Sequence, residues 1–211
     1  MKTVLLTGFE PFGGETINPS GEIARQLHDM VIARHQVVGA LLPCVFGAAI
    51  AELKAQLRHT QPALIICLGQ AGGRADITPE RVAINVDDAR LTDNAGGQPI
   101  DQAVIKQGPA AYWSTLPIKA IVAALRQRDL PASVSQTAGT FVCNHVFYGL
   151  MHQLRAQRRV RGGFIHVPFL PEQTTDKPSL PLETMVTAIG LAIETAVQNR
   201  RDLRVSGGAT Q

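Results

Sequence analysis

The chain has 211 residues, of which 45% are hydrophobic and 18% charged, and its formal net charge at pH 7 is +3. This composition excludes a disordered or fibrous polymer and fits one compact domain over residues 1–211. No stretch of about 18 apolar residues occurs, so no membrane span is predicted. The basic residues form no stripe with interleaved aromatics, so no nucleic-acid partner is predicted.

Apolar strands and helices alternate along the chain. In the first half we predict strands over 3–8, 35–43 and 62–69, with helices over 18–27 and 47–58; Asn18 is the expected N-cap and Pro19 the first helical residue. In the second half we predict helices over 118–128, from Cys143 and over 181–199, with strands near 132–137 and over 162–169. The pattern indicates a single-domain α/β fold: a twisted, mostly parallel sheet with helices on both faces.

The stretch from 70 to 116 differs, because it is rich in glycine and turn signals, and "RVAINV" is its one plausible strand. Connections of this length in compact domains are usually functional. We therefore expect part of a functional site here.

The three cysteines, Cys44, Cys67 and Cys143, form no CxxC pair, and the first residues resemble no signal peptide. Reduced thiols and a cytoplasmic location are therefore expected. Cys44 and Cys67 fall in apolar strand segments, where a cysteine is usually a small core residue.

Cys143 admits two interpretations. It precedes a helical stripe of apolar residues, which favours burial as a core residue; the stripe consists of Val146, Phe147, Leu150, Met151 and Leu154. However, the first turn of a helix offers unpaired N–H groups and the positive end of the helix dipole. Both lower the pKa of a thiol and stabilise a developing oxyanion, so Cys143 is a candidate nucleophile.

A thiol nucleophile needs a base. His145 lies two residues along the helix from Cys143, which turns it to another face, and we expect His145 and His152 to be solvated. His166 lies near the carboxyl end of an apolar strand, where catalytic groups collect in open α/β sheets, although a core histidine bonded to backbone is an equal alternative. The remaining histidines lie at helix or strand edges: His28, His35 and His59.

A third group should orient the imidazole. Glu80 lies beside a predicted strand, and Asp87 and Asp88 compete with it. Spacing alone leaves all three carboxylates open.

Five segments resemble the pyrrolidone-carboxylate peptidase family, also called pyroglutamyl peptidase type I. In chain order they are "LLTGFEPFGGETINPS", "ICLGQAGGR", "ERVAINVDDARLTDNAGGQPID", "GTFVCNHVFYGL" and "GGFIHVPFLPEQ". The resemblance implies a cysteine peptidase with a catalytic set of Glu80, Cys143 and His166. It also implies an α/β fold, no cofactor or metal, and a homo-oligomer, a tetramer by resemblance.

The family removes an N-terminal pyroglutamyl residue from peptides, so the resemblance implies such peptides as substrates. By similarity, the pyroglutamyl ring would be lined by Phe9, Phe12, Leu91, Phe141 and Val142, with the main chain of Gln70 bonding the lactam. Arg90 would help to hold the oxyanion. A salt bridge to Asp87, Asp88 or Asp93 is the alternative role of Arg90.

Other functions fit less well. "GFEPFGGE" has the glycine spacing of a phosphate-binding loop, but Gly14 and Glu15 stand where Lys and Ser or Thr should follow. A metallohydrolase lacks its HExxH motif here, and the histidines are scattered. A non-catalytic binding module would have lost a catalytic group, whereas all three are present.

Overall fold

The computed structural model describes residues 1–157 and 159–208. The strands in that part of the chain are β1 (Lys2–Phe9), β2 (Val31–Ile32), β3 (His35–Leu42), β4 (Leu64–Gln70), β5 (Thr78–Pro79), β6 (Val82–Ile84), β7 (Ala111–Trp113) and β8 (Arg161–Val167). The helices are α1 (Pro19–Gln26), α2 (Ala48–Thr60), α3 (Ile118–Arg126), α4 (Val142–Leu154) and α5 (Leu182–Gln198), with a 3-10 turn at Pro171–Gln173.

The main sheet has six strands in the order β2-β3-β1-β4-β8-β5. Its four central strands β3, β1, β4 and β8 are parallel, and the two-residue edge strands β2 and β5 are antiparallel to their neighbours. Strands β1, β4 and β8 are buried along most of their length, which explains their unbroken apolar runs. The predicted mostly parallel sheet is confirmed.

Helices cover both faces of this sheet, as predicted. One face packs against α1, α3 and α5, and the other against α2 and α4. Asn18 caps α1 by accepting a hydrogen bond from the Ser20 N–H at 3.1 Å, and Pro19 begins the helix. None of the described helices combines the length and apolar character that crossing a membrane requires.

The 70–116 stretch contains more regular structure than its sequence suggests. Strand β6, the ordered part of "RVAINV", pairs with β7 in a separate antiparallel sheet that packs on α4. The side chain of Asn144 in α4 accepts the Ile84 N–H at 3.0 Å and donates to the carbonyls of Ile84 and Val86, both at 2.9 Å. Helix α4 is therefore covered on two sides.

The prediction of a strand near 132–137 is wrong. That segment makes only isolated bridges, from Ala132 to Ile77 and from Ser135 to Glu80. Its extended backbone serves to hold residues 77–80, because Ser135 accepts the Arg81 N–H at 3.0 Å and donates to the Pro79 carbonyl at 3.1 Å. Cys44 is buried as expected but lies beyond the end of β3 rather than inside a strand.

Candidate active site

Cys143 lies in the first turn of α4, as the sequence predicts. The helix begins at Val142 with Phe141 as its N-cap, so the sulfur stands at the end of the helix whose N–H groups lack helical acceptors. The predicted stripe of apolar residues after Cys143 is buried against the sheet. Cys143 itself is half-buried, whereas Cys44 and Cys67 are buried.

The sulfur of Cys143 rests on Gly69 in β4. A Cβ atom at position 69 would lie 2.8 Å from Cys143 Sγ, which is closer than real Cβ contacts. Gly69 is the register partner of His166 in the parallel β4–β8 pair. Paired residues point to the same face of a sheet from strands about 4.8 Å apart, so His166 projects beside the sulfur at the carboxyl ends of both strands.

His166 is oriented by Glu80. Its Nδ1 donates to Glu80 Oε1 at 2.6 Å, and both side chains are buried. Glu80 follows edge strand β5, and its N–H donates to the Phe164 carbonyl of β8 at 2.9 Å, which fixes the carboxylate beside His166. Because Nδ1 is occupied, Nε2 is the nitrogen left for the sulfur. Of the three carboxylates left open by spacing, Glu80 is the one bonded to His166.

A second basic group, Arg74, reaches the same carboxylate. Arg74 Nη1 donates to Glu80 Oε1 and to Thr78 Oγ1, both at 2.7 Å, and Nη2 donates to the Thr137 carbonyl at 2.9 Å. The sequence does not point to Arg74, since an arginine after "AGG" carries no signal for this role.

The surroundings shift the pKa values of these groups in opposite directions. Burial acts to raise the pKa of Glu80, but hydrogen bonds and charge from His166, with Ser135 and Arg74, lower it below its ordinary value. Burial raises the pKa of the Cys143 thiol; Cys44 and Glu80 raise it further and Arg74 opposes them. The direction of this shift is opposite to the one that the helix dipole predicts for the Cys143 thiol, because burial outweighs the dipole.

Aromatic rings surround the start of α4. The ring of Phe141 lies 6.0 Å from that of Phe12 and meets the edge of Phe46 at 5.4 Å. Phe9 and Val142 are buried in the same hydrophobic cluster. Four of the five predicted ring-lining residues therefore gather near Cys143, together with Phe46, which the sequence analysis missed.

The other predicted binding residues lie at the end of β4, next to Gly69, and in the exposed 87–102 loop. Gln70 ends β4, and its side-chain Oε1 accepts a hydrogen bond from Gln173 Nε2 at 3.0 Å. Leu91 is 50% exposed and Arg90 is exposed in the 87–102 loop. The ion pairs formed within the described ranges do not include Arg90, so the salt bridge that was the alternative to its oxyanion role is not formed.

The 87–102 loop is fastened to three neighbouring segments. Thr140 accepts the Asp88 N–H at 3.0 Å and donates its hydroxyl to the Asp88 carbonyl at 2.7 Å. The Asn94 N–H donates to the Cys44 carbonyl at 3.1 Å, and its side-chain amide donates to the Pro11 carbonyl at 2.9 Å. These contacts hold the loop against the segments that carry the aromatic rings.

The expectation of a solvated side chain is wrong for His145, which is 6% exposed and bonds Asp87 at 2.7 Å. His152 is partly buried, and its Nδ1 lies 2.8 Å from the Tyr112 hydroxyl. Both histidines are covered for the same reason: residues 82–113 pack on the side of α4 that the apolar stripe leaves free. No cluster of three potential metal-ligating side chains occurs within residues 1–157 and 159–208.

Comparison with known proteins places these features in a family. The sequence profile of pyroglutamyl peptidase matches residues 2–199. The chain belongs to the pyroglutamyl peptidase family. It is 55% identical to the pyrrolidone-carboxylate peptidase of Bacillus mycoides over the full length of both chains, and 54% identical to that of Yersinia pestis over 99% of each. Family membership makes the chain a hydrolase and a peptidase.

Solved structures of the family agree with the fold. The chain superimposes on Bacillus amyloliquefaciens pyroglutamyl peptidase I with a TM-score of 0.94 and 50% identity, covering 96% of this chain and 100% of that one. The pyrrolidone carboxyl peptidase of Thermococcus litoralis gives a TM-score of 0.94 at 39% identity, covering 98% and 100%. The predicted family and α/β fold are confirmed.

Proposed function

We propose that the protein removes an N-terminal pyroglutamyl residue from peptides through a thioester, with Cys143 as nucleophile, His166 as general base and acid, and Glu80 as the group that orients His166. The single observation that carries this proposal is the arrangement of His166. Its Nδ1 is bonded to Glu80 and its strand position pairs with Gly69, on which Cys143 Sγ rests. Family membership supplies the substrate class.

In the first step, Cys143 Sγ attacks the pyroglutamyl carbonyl carbon while the thiol proton passes to His166 Nε2. Concerted proton removal suits a thiol whose pKa is raised by burial. The N–H groups in the first turn of α4 bind the oxyanion, and Arg90 assists from the 87–102 loop. The carbon–nitrogen bond then breaks, and His166 gives its proton to the leaving amine.

In the second step, water attacks the thioester carbonyl and its proton passes to His166 Nε2. The sulfur–carbon bond breaks, free pyroglutamate leaves, and the proton returns to the sulfur. Glu80 keeps the Nδ1 proton in place throughout, so that Nε2 is always the nitrogen that exchanges protons.

The substrate ring is a neutral lactam with one N–H donor and one carbonyl acceptor. A pocket of Phe9, Phe12, Leu91, Phe141 and Val142 suits its apolar ring, and the main chain of Gln70 bonds its polar edge. The rings of Phe12 and Phe141 lie 6.0 Å apart beside the nucleophile, which supports this assignment.

Several properties of the protein remain part of this proposal. We infer a single α/β domain over 1–211, a cytoplasmic location, a homo-oligomer, and activity without a cofactor or metal. The mass of the protein in solution checks the homo-oligomer, and full activity in EDTA checks the independence from a metal. Residues 158 and 209–211 lie outside the described ranges.

The decisive experiment compares hydrolysis of pyroglutamyl, prolyl and glutamyl reporter amides, with and without a thiol alkylator. Hydrolysis should be confined to the pyroglutamyl amide and blocked by alkylation. Cys143→Ala should abolish turnover and leave the circular dichroism spectrum intact, whereas Cys67→Ala, a buried thiol in β4, should retain activity. Near-normal turnover by Cys143→Ala would end the proposal.

A further inference from the structure

The catalytic carboxylate has two hydrogen-bond donors on one oxygen. Glu80 Oε1 accepts from His166 Nδ1 at 2.6 Å and from Arg74 Nη1 at 2.7 Å, while Oε2 is buried without a hydrogen-bond partner among the described residues. We propose that Arg74 is a positioning residue of the catalytic site, which acts through Glu80 to set the acidic limit of activity. This inference rests on the proposed function of Glu80 and His166.

The position of Arg74 is built by its own segment. Gly73 adopts a left-handed backbone conformation with φ +92°, and the Arg74 N–H donates to the Ala71 carbonyl at 3.2 Å, which turns the chain back after β4. The guanidinium then spans three different groups, Thr78, Glu80 and the Thr137 carbonyl. A planar guanidinium with several fixed donors suits such a task, which a single ammonium cannot reproduce.

Arg74 also keeps Glu80 ionised. Burial acts to raise the pKa of Glu80, whereas His166, Ser135 and the Arg74 cation on the same carboxylate oxygen lower it. The Arg74 side chain is 29% exposed, so water screens its charge only in part. Glu80 therefore stays charged, and holds the imidazole of His166 in orientation, to lower pH than it would without Arg74.

Among the described residues, the titratable groups that act on Cys143 besides Glu80 and Arg74 are Cys44 after β3 and Cys67 on β4. Burial raises the pKa of both thiols to about 12. Both are therefore neutral at physiological pH. Arg74 is the cation that acts on the pKa values of both Glu80 and Cys143.

The test measures kcat/KM for a pyroglutamyl reporter amide against pH in Arg74→Gln, Arg74→Lys and Arg81→Gln. Loss of the charge in Arg74→Gln should move the acidic limb of kcat/KM upward by about one pH unit. Arg74→Lys should keep the limb near its wild-type position but lower kcat, since it keeps the charge and loses the fork of donors. The matched control is Arg81, which bonds Gln136 and the Gly207 carbonyl instead of Glu80, so Arg81→Gln should not move the limb.

The outcomes separate this inference from the proposed function. An unmoved limb in Arg74→Gln, or an equal shift in Arg81→Gln, would overturn the role of Arg74 even though the wild-type enzyme is active. If Arg74→Gln does not fold, a one-unit shift of the limb in Arg74→Lys would overturn it instead. An inactive wild type would defeat the proposed function. The rate of Cys143 alkylation against pH would then still test Arg74, because loss of Arg74 should slow alkylation at a given pH. An unchanged alkylation rate would count against the role of Arg74.

Discussion

His145 and Asp87 form a second buried pair of an imidazole and a carboxylate, in addition to the pair of His166 and Glu80. His145 Nδ1 donates to Asp87 Oδ2 at 2.7 Å, and its Nε2 accepts the Gly47 N–H at 2.9 Å. Its ring also meets the edge of Phe46 at a centroid distance of 5.3 Å. The pair thus joins α4 to the 87–102 loop and to the segment that carries Phe46.

We expect His145→Leu to destabilise the protein by about 3 kcal/mol, because it leaves the Asp87 carboxylate buried without a partner. KM for a pyroglutamyl amide should rise more than kcat falls, since Phe46 loses its support beside Phe141. Chemical denaturation and steady-state kinetics measure the two effects. His59→Leu, at an exposed position of α2, is the control. Equal stability of the two variants would contradict the structural role of the pair.

Gly69→Ala should lower activity sharply, because the new Cβ would lie 2.8 Å from Cys143 Sγ and equally close to the Phe164 ring. Either the sulfur or the aromatic ring must move, and both lie next to His166. Gly190→Ala in α5 is a suitable control, since its nearest neighbour would be 4.0 Å away. It should keep full activity and stabilise the helix by about 0.5–1 kcal/mol. Comparable kcat/KM in both variants would disprove the tight approach of sulfur to strand.

Alkylation of Cys143 by iodoacetamide should be slow at neutral pH and accelerate steadily as the pH rises to 10. Burial raises the pKa of this thiol, so the reactive thiolate accumulates only in alkaline solution. Mass spectrometry should show one adduct, and none in Cys143→Ala, because Cys44 and Cys67 are buried and have pKa values near 12. A rate that is already at its plateau at pH 6 would instead indicate a preformed thiolate.

Asp93 should make stability depend on acidity. Its carboxylate accepts N–H bonds from Phe46, Ala95 and Gly97 at 2.7–2.9 Å; burial raises its pKa, but these bonds outweigh burial and lower the pKa below the ordinary 3.8. A lowered folded-state pKa contributes stability above pH 3.8 that is lost as the pH falls through the folded value.

Asp93→Asn should therefore be less stable than wild type at pH 7, and the difference should shrink below pH 4. Urea unfolding at several pH values measures it. Asp29→Asn is the control, because Asp29 is exposed. A difference between Asp93→Asn and wild type that stays constant down to pH 3 would exclude this linkage.

Much of the fold follows from local pattern. The buried apolar runs of β1, β4 and β8 and the cap of α1 at Asn18 carry their own signals, so the alternation of strands and helices was predictable. The segment near 132–137 was not, because its backbone pairs with single residues of distant segments and not with a continuous strand.

The residues of the candidate site also divide into those whose positions local sequence predicts and those that depend on distant segments. The positions of Cys143 at a helix start and of His166 near a strand end were predictable from chain order, whereas spacing left their roles open. His145 and Arg74 were not, since each owes its role to partners 58 and 6 residues away that come together only in the folded chain. Helical periodicity assigned His145 to solvent because it describes one helix alone and says nothing of residues 82–113 that cover it.

Gly69 places backbone atoms directly against Cys143 Sγ. Backbone atoms in a central strand have no rotamers and are held on both sides by neighbouring strands. Side-chain substitutions therefore cannot change the distance between Cys143 Sγ and this backbone in small steps. Under the proposed function, a change of substrate preference would therefore come from the loops that carry Phe12, Phe46 and Leu91, while the distance from sulfur to sheet stays constant.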